Sequence, residues 1–227
     1  MTDLVLALPI LLFSVVAHEY AHAWTAYRQG DDTAFALGRL TLNPLPHIDP
    51  VMSVLFPIGL YLLTSAAGHP FTFGAAKPVP IDPRKFRHYR RGDLIVSSAG
   101  IVTNLLLGIA SAALFAAAGF LGDIAPSLGG ALGTVQRTLV FGVTINFTLA
   151  IFNLVPIPPL DGSHLFYHLL PPAWGARYRR LGRFGFVVIF AAFLIPGLWD
   201  VVLWPVDALS VGALTLVRDF ALPTAVR

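Results

Sequence analysis

The chain has 227 residues, a formal net charge of +3, and only 12% charged residues against 56% hydrophobic ones. Its mean hydropathy is +0.73. A soluble domain carries about 25% charged residues, so this composition excludes one and defines an integral membrane protein. The basic residues concentrate in two loops, which is the pattern of membrane topology and not of a nucleic-acid surface. The chain has no cysteine, which excludes disulfides, a thiolate metal site and a cysteine nucleophile.

Spans are read from apolar runs of about 20 residues. The first runs from about Leu4 to Tyr27, and with no basic n-region before it the N-terminal segment is expected to be retained. A polar connector follows, Arg28 to Pro50, whose run Asn43-Pro44-Leu45-Pro46-His47-Ile48-Asp49-Pro50 is too rich in proline for a regular helix. Val51 to Gly68 is apolar but short and contains Pro57, and Phe71-Thr72-Phe73-Gly74 alternates like a short strand. Lys77 to Arg91 is the main basic loop. Leu94 to Leu121 is a long span rich in Gly, Ala and Ser, residues that let helices pack closely in lipid. After a turn at Gly122 to Gly130, Ala131 to Val155 forms the next span, ended by Pro156, Pro158 and Pro159. A second basic loop carries Arg177, Arg179, Arg180 and Arg183, an anchor for anionic lipid. Phe184 to Val206 reads as the last span, and Ala208 to Val217 as an interfacial segment too short to cross. The fold expected is an all-α polytopic membrane protein with about five to six membrane helices or re-entrant segments. It forms one membrane-embedded domain over residues 1–227, with a short strand or loop near the active site.

The positive-inside rule puts both basic loops in the cytoplasm. The spans between them then form an out-and-back hairpin, and Pro156 to Asp161 lies towards the cytoplasmic side. Parity makes Val51 to Gly68 a re-entrant or peripheral segment lining the active site, since irregular backbone at membrane depth needs protein or water beside it.

The first span contains the only glutamate of the chain, in His18-Glu19-Tyr20-Ala21-His22. A charge in such a segment is costly and marks function. Residues i and i+4 share a helix face, so both imidazoles can reach one zinc ion at about 2.0–2.1 Å. Glu19 is rotated by about 100° and can flank the metal as base for a bound water. A catalytic zinc needs three protein ligands and one open position. The candidate third is Asp161, in Asn153-Leu154-Val155-Pro156-Ile157-Pro158-Pro159-Leu160-Asp161-Gly162.

The pair HEYAH and NLVPIPPLDG resembles the site-2 protease family of intramembrane zinc metalloproteases, peptidase family M50. The resemblance implies one catalytic Zn2+ held by His18, His22 and Asp161, with Glu19 as base and Asn153 holding substrate or the oxyanion. Ser98-Ala99-Gly100-Ile101-Val102-Thr103-Asn104 is similar to the family's G-P-x-x-N element, with Ile101 where proline is usual. The early HEYAH, together with Gly74-Ala75-Ala76-Lys77-Pro78-Val79-Pro80, resembles the minimal bacterial branch without PDZ or CBS domains. The activity implied is hydrolysis of peptide bonds in or near transmembrane segments of protein substrates, in the bacterial cell membrane, with the active site towards the cytoplasm. The competing class is a membrane metal transporter using the same His/His/Asp site. It needs further ligands along a path, and the sequence offers few other intramembrane acids. Among other polar residues, His47 and Asp49 read as local hydrogen-bonding groups of the proline-rich turn. His69, His88 and His168 read as interfacial, His164 as a neighbour of the metal ligands or a helix cap, and Asn104 and Asn146 as interhelical hydrogen-bonding groups.

Overall fold

In the computed structural model, residues 2–66, 77–193, 195, 197–223 and 225 are described, and every regular element among them is helical. The elements are α1 (Thr2–Gln29), α2 (Thr33–Ala36), α3 (Phe56–Ala66), α4 (Tyr89–Ile124), α5 (Gly129–Leu154), α6 (Asp161–Tyr167), α7 (Pro172–Leu181), α8 (Gly185–Phe193) and α9 (Leu198–Val217). Four segments are long and apolar enough to cross a membrane: Asp3–Gln29, Tyr89–Ile124, Pro126–Leu154 and Leu198–Phe220. The all-α polytopic reading holds. The strand expected at Phe71–Gly74 lies outside the described residues.

The four long helices alternate in direction. Asp3 at the start of α1 pairs with Arg137 near the start of α5 at 3.2 Å, and Ala7, Leu11 and Val15 of α1 pack on Ile145 and Leu149 of α5. These two helices therefore run parallel. The turn at 125–128 folds α5 back on α4. Val206 of α9 packs with Ala112 of α4 and with Val143 and Phe147 of α5. Trp199, at the start of α9, stacks on Phe152 at the end of α5, so α9 runs with α4. The end of α1, the start of α4 and the end of α5 thus meet at one pole. Both basic segments are there too: Arg179 donates to the Tyr89 hydroxyl at 3.2 Å, and Arg90 donates to the His168 carbonyl at 3.2 Å.

The structure corrects two element readings. The last span is Leu198–Phe220, not Phe184–Val206, so Ala208–Val217 is its second half and not an interfacial segment. The apolar run breaks at Gly197, whose φ of 75° is left-handed and open to glycine. Pro205 lies inside α9 and does not end it. In the segment 51–66, Pro57 does not interrupt the helix but is the second residue of α3. The irregularity comes one step earlier, as a π turn over Pro50–Leu55.

The outward faces of α4 and α9 expose Leu106, Ile109, Leu114, Val201, Trp204 and Leu216, the surface a bilayer covers. A polar side chain within the bundle needs a protein partner. Gln136 of α5 is fully buried: its amide nitrogen donates to the carbonyls of Phe115 and Phe220 at 2.9 and 2.8 Å, and its oxygen accepts from Leu222 N at 2.9 Å. Gln136→Leu orphans these three groups. It should destabilise the protein by about 1–3 kcal/mol, read as a lowered thermal midpoint in detergent with zinc content unchanged.

Candidate metal centre

His18 and His22 occupy successive turns of one face of α1, roughly 10–17 Å from its C-terminal end by the helical rise of about 1.5 Å per residue. Both imidazoles are buried. Opposite them, α4 presents a stripe at intervals of four: Val96, Gly100 and Asn104. His22 Nδ1 lies 2.7 Å from the Val96 carbonyl, and His18 Nδ1 lies 2.6 Å from Asn104 Oδ1. Between these two, Gly100 makes room. A Cβ there would lie 2.4 Å from His18 Cε1 and 2.5 Å from His22 Nε2.

The hydrogen-bond chain fixes the tautomers. The Gly142 carbonyl can only accept, so Asn146 donates to it at 2.8 Å, which turns Asn146 Oδ1 towards Asn104 Nδ2 at 2.9 Å. Asn104 Oδ1 must then accept from His18, and the Val96 carbonyl must accept from His22. Each imidazole carries its proton on Nδ1 and presents a lone pair at Nε2.

Those lone pairs converge. His18 Nε2 and His22 Nε2 are 2.9 Å apart, and each lies 3.2 Å from Asp161 Oδ2. Asp161 comes from the start of α6. The loop from the end of α5 closes tightly before it, and a Cβ on Gly162 would fall 2.1 Å from the Leu154 carbonyl oxygen. Asp161 Oδ2 is buried and has no hydrogen-bond donor. Three electron-pair donors in mutual contact repel unless a cation lies among them. Two imidazoles and a carboxylate are a zinc-type donor set, and ligand atoms bound tetrahedrally at about 2.0–2.1 Å lie about 3.3 Å apart. The residues therefore fit a zinc ion, with the fourth position left for water or substrate.

Glu19 is partly buried, and its Oε2 accepts from the Val79 backbone N–H at 2.7 Å. Asn153, in the last turn of α5, donates to the Leu149 carbonyl of its own helix at 2.9 Å, leaving one amide hydrogen and its oxygen for other partners. Among the described residues, His18, His22 and Asp161 are the one group of three that can hold a metal.

Other histidines are placed as follows. The His168 imidazole is buried and donates to Asp93 Oδ2 at 2.7 Å, and His164 meets Asp93 Oδ1 at 3.2 Å. Asp93 thereby ties α6, which begins with Asp161, to α4. The Asp93 hydrogen bond raises the His164 pKa from its ordinary value, against partial desolvation. His47 is fully buried, and its Nε2 meets the Thr41 carbonyl at 3.0 Å, the local role expected of it. His88 is exposed at the cap of α4. His69 lies outside the described residues. Sequence reading named Gly100 within its motif but missed its place against the two imidazoles, and it missed the carbonyl of Val96. The spacing of four from Gly100 to Asn104, one turn of a single helix face, was the available signal.

A helical membrane protein with a buried His/His/Asp centre and a glutamate beside it is the architecture of a membrane-embedded metallohydrolase. The model of peptidase family M50 matches residues 85–196. A Bacillus subtilis protein provisionally named zinc metalloprotease YwhC is 36% identical over 93% of this chain and 89% of its own length. Proteins provisionally named zinc metalloprotease Rip2 are 29% identical in Mycolicibacterium smegmatis and 31% identical in Mycobacterium tuberculosis, each over 86% of this chain and 71% of theirs. No solved structure matches the chain significantly. The chain belongs to peptidase family M50.

Asn104 holds the imidazole of His18 by accepting from its Nδ1. Asn104→Leu should weaken zinc binding about 10–100-fold, read by titration against a competing chelator, with the helical content unchanged.

Proposed function

We propose that this protein is an intramembrane zinc metalloprotease, hydrolysing peptide bonds in or near transmembrane segments of membrane-protein substrates. The observation that carries this is the convergence of His18, His22 and Asp161 within the helix bundle, with Glu19 on the adjoining face of α1. The whole span 1–227 acts as one membrane-embedded protease domain. Both basic segments lie at the pole of the site, so the positive-inside rule turns that pole to the cytoplasm of the bacterial cell membrane.

His18, His22 and Asp161 are the ligands. Bound there, zinc supplies Lewis-acid polarisation of the scissile carbonyl and acidifies water. Glu19 takes the proton of the attacking water at Oε1, the carboxylate oxygen not engaged by Val79, and delivers it to the leaving amine. Asn104 and the Val96 carbonyl keep both imidazoles in the tautomer that leaves Nε2 free. The amide hydrogen that Asn153 does not spend on Leu149 is available to the tetrahedral oxyanion. The bundle around the site excludes lipid, and water reaches it from the cytoplasmic pole. A metal-transit role is not favoured, because the described residues hold no second cluster of ligands along a path.

The test uses the full chain in detergent with a model transmembrane substrate. Cleavage should stop on chelation and return with zinc. Glu19→Gln should keep about one zinc per chain and lose cleavage by at least about a hundredfold. Retained proteolysis in that variant would remove Glu19 as base. Asp161→Ala should lose most of its zinc by elemental analysis, and full retention would remove Asp161 from the metal.

A further inference from the structure

Residues 77–82, Lys77-Pro78-Val79-Pro80-Ile81-Asp82, cross α1 as an extended strap without regular structure. The strap follows α1 closely. Val79 packs into a buried cluster with Ala23 and Ala34, and Ile81 packs on that cluster and on the next one, Ala26, Phe86 and Val96. Ala23 and Ala26 are both fully buried, and Ala23 lies one turn after Glu19. Because Pro78 and Pro80 lack an N–H, the amide of Val79 is the only donor between Lys77 and Ile81. That donor goes to Glu19 Oε2 at 2.7 Å.

Both ends of the strap are clamped to the connector after α1. At the near end, Lys77 N donates to the His47 carbonyl at 2.8 Å, and Arg39 donates to the Lys77 carbonyl at 2.8 Å. At the far end, Asp82 N donates to Asp31 Oδ2 at 2.6 Å. Asp31 is 1% exposed. It also accepts from the backbone N–H and the hydroxyl of Thr33, and Lys85 Nζ stands 4.0 Å away. A buried carboxylate is costly unless its lone pairs are filled, and here Thr33 fills one oxygen and the far end of the strap, Asp82 N, the other.

We infer that the strap is the positioning element of the catalytic base: Val79 N–H fixes the Glu19 carboxylate, and Asp31 acts through the strap as a positioning residue. This rests on the protease reading given above. A glutamate on a helix surface has three side-chain torsions to lose. A charge-assisted bond to one oxygen, donated by backbone that is clamped at both ends, leaves the other oxygen pointing one way. Proximity effects make such placement worth a large factor in rate, since a shift of about 1 Å can cost about a hundredfold. Pro78 and Pro80 ensure that no neighbouring amide competes for Glu19.

Hydrogen–deuterium exchange on the full chain in detergent tests the bond directly: of two fragments with one common start upstream of Lys77, one ending at Pro78 and the other at Pro80, the difference in uptake is that of the Val79 amide, because neither proline has an N–H. That amide should exchange at least about tenfold more slowly in the wild type than in Glu19→Ala, while Lys77 and Asp82 amides keep their protection. Free exchange at Val79 in the wild type, or no change in Glu19→Ala, overturns the inference. In the activity arm, Asp31→Ala should expose the Val79 amide and lower kcat about 10–100-fold, with KM and zinc content within about twofold. Asp31→Asn, which keeps an acceptor for Asp82 N, should recover most of the loss. Should Asp31→Ala not fold, replacing Val79 by α-hydroxyisovalerate removes only the N–H and should give the same fall in kcat. Unchanged kcat in that ester protein also overturns the inference. A wild type that binds zinc but cleaves no substrate refutes the protease reading instead, and the exchange arm still decides whether the strap holds Glu19.

Discussion

Three lone pairs pointed at one another, from His18, His22 and Asp161, are the constraint around which the rest of the structure is arranged. At separations of 2.9–3.2 Å they form a seat for a cation, and the interior of a helix bundle offers little solvent to soften the repulsion in its absence. Each feature nearby serves to hold the donors in that orientation. Val96 and Asn104 take the two Nδ1 protons, and Gly100 leaves the volume the rings occupy. Gly162 lets α6 start hard against the end of α5, so that Asp161 arrives at the third corner.

The alternating bundle gives this cluster its setting. With α1 and α5 running one way and α4 and α9 the other, the last third of α1 faces the first turns of α4 at the pole where both basic segments lie. Asp93 fastens α6 to α4 through His164 and His168, so the ligand-bearing short helix is not left to its own stability, which for seven residues would be negligible. The zinc donors therefore sit on packed helices, with only the orientation of Glu19 entrusted to a segment without regular structure. That segment is made rigid by its prolines and by clamps at both ends.

The spans and the donors were largely legible in the sequence because both are local patterns. An apolar run of twenty residues identifies a span, and a spacing of four places His18 and His22 on one face. The misreadings were also local. Phe184 to Val206 has span length, but one left-handed glycine at 197 divides it, and hydropathy does not register backbone conformation. Pro57 marked Val51 to Gly68 as irregular, yet it lies inside a helical segment. The pairing of His168 with the buried Asp93 was not legible, because its partner lies 75 residues away in sequence.

The sequence by itself determined a polytopic helical membrane protein of the M50 type, with HEYAH and Asp161 as its metal-binding candidates, because composition, helical period and motif each act over a few neighbouring residues. Only the tertiary structure decided that Asp161 reaches the two histidines, that Asn104 and the Val96 carbonyl set their tautomers, and that Val79 meets Glu19 across 60 residues. Those contacts depend on where helices cross and how closely glycine lets them approach. That information is spread over distant segments and becomes specific only once the bundle has packed.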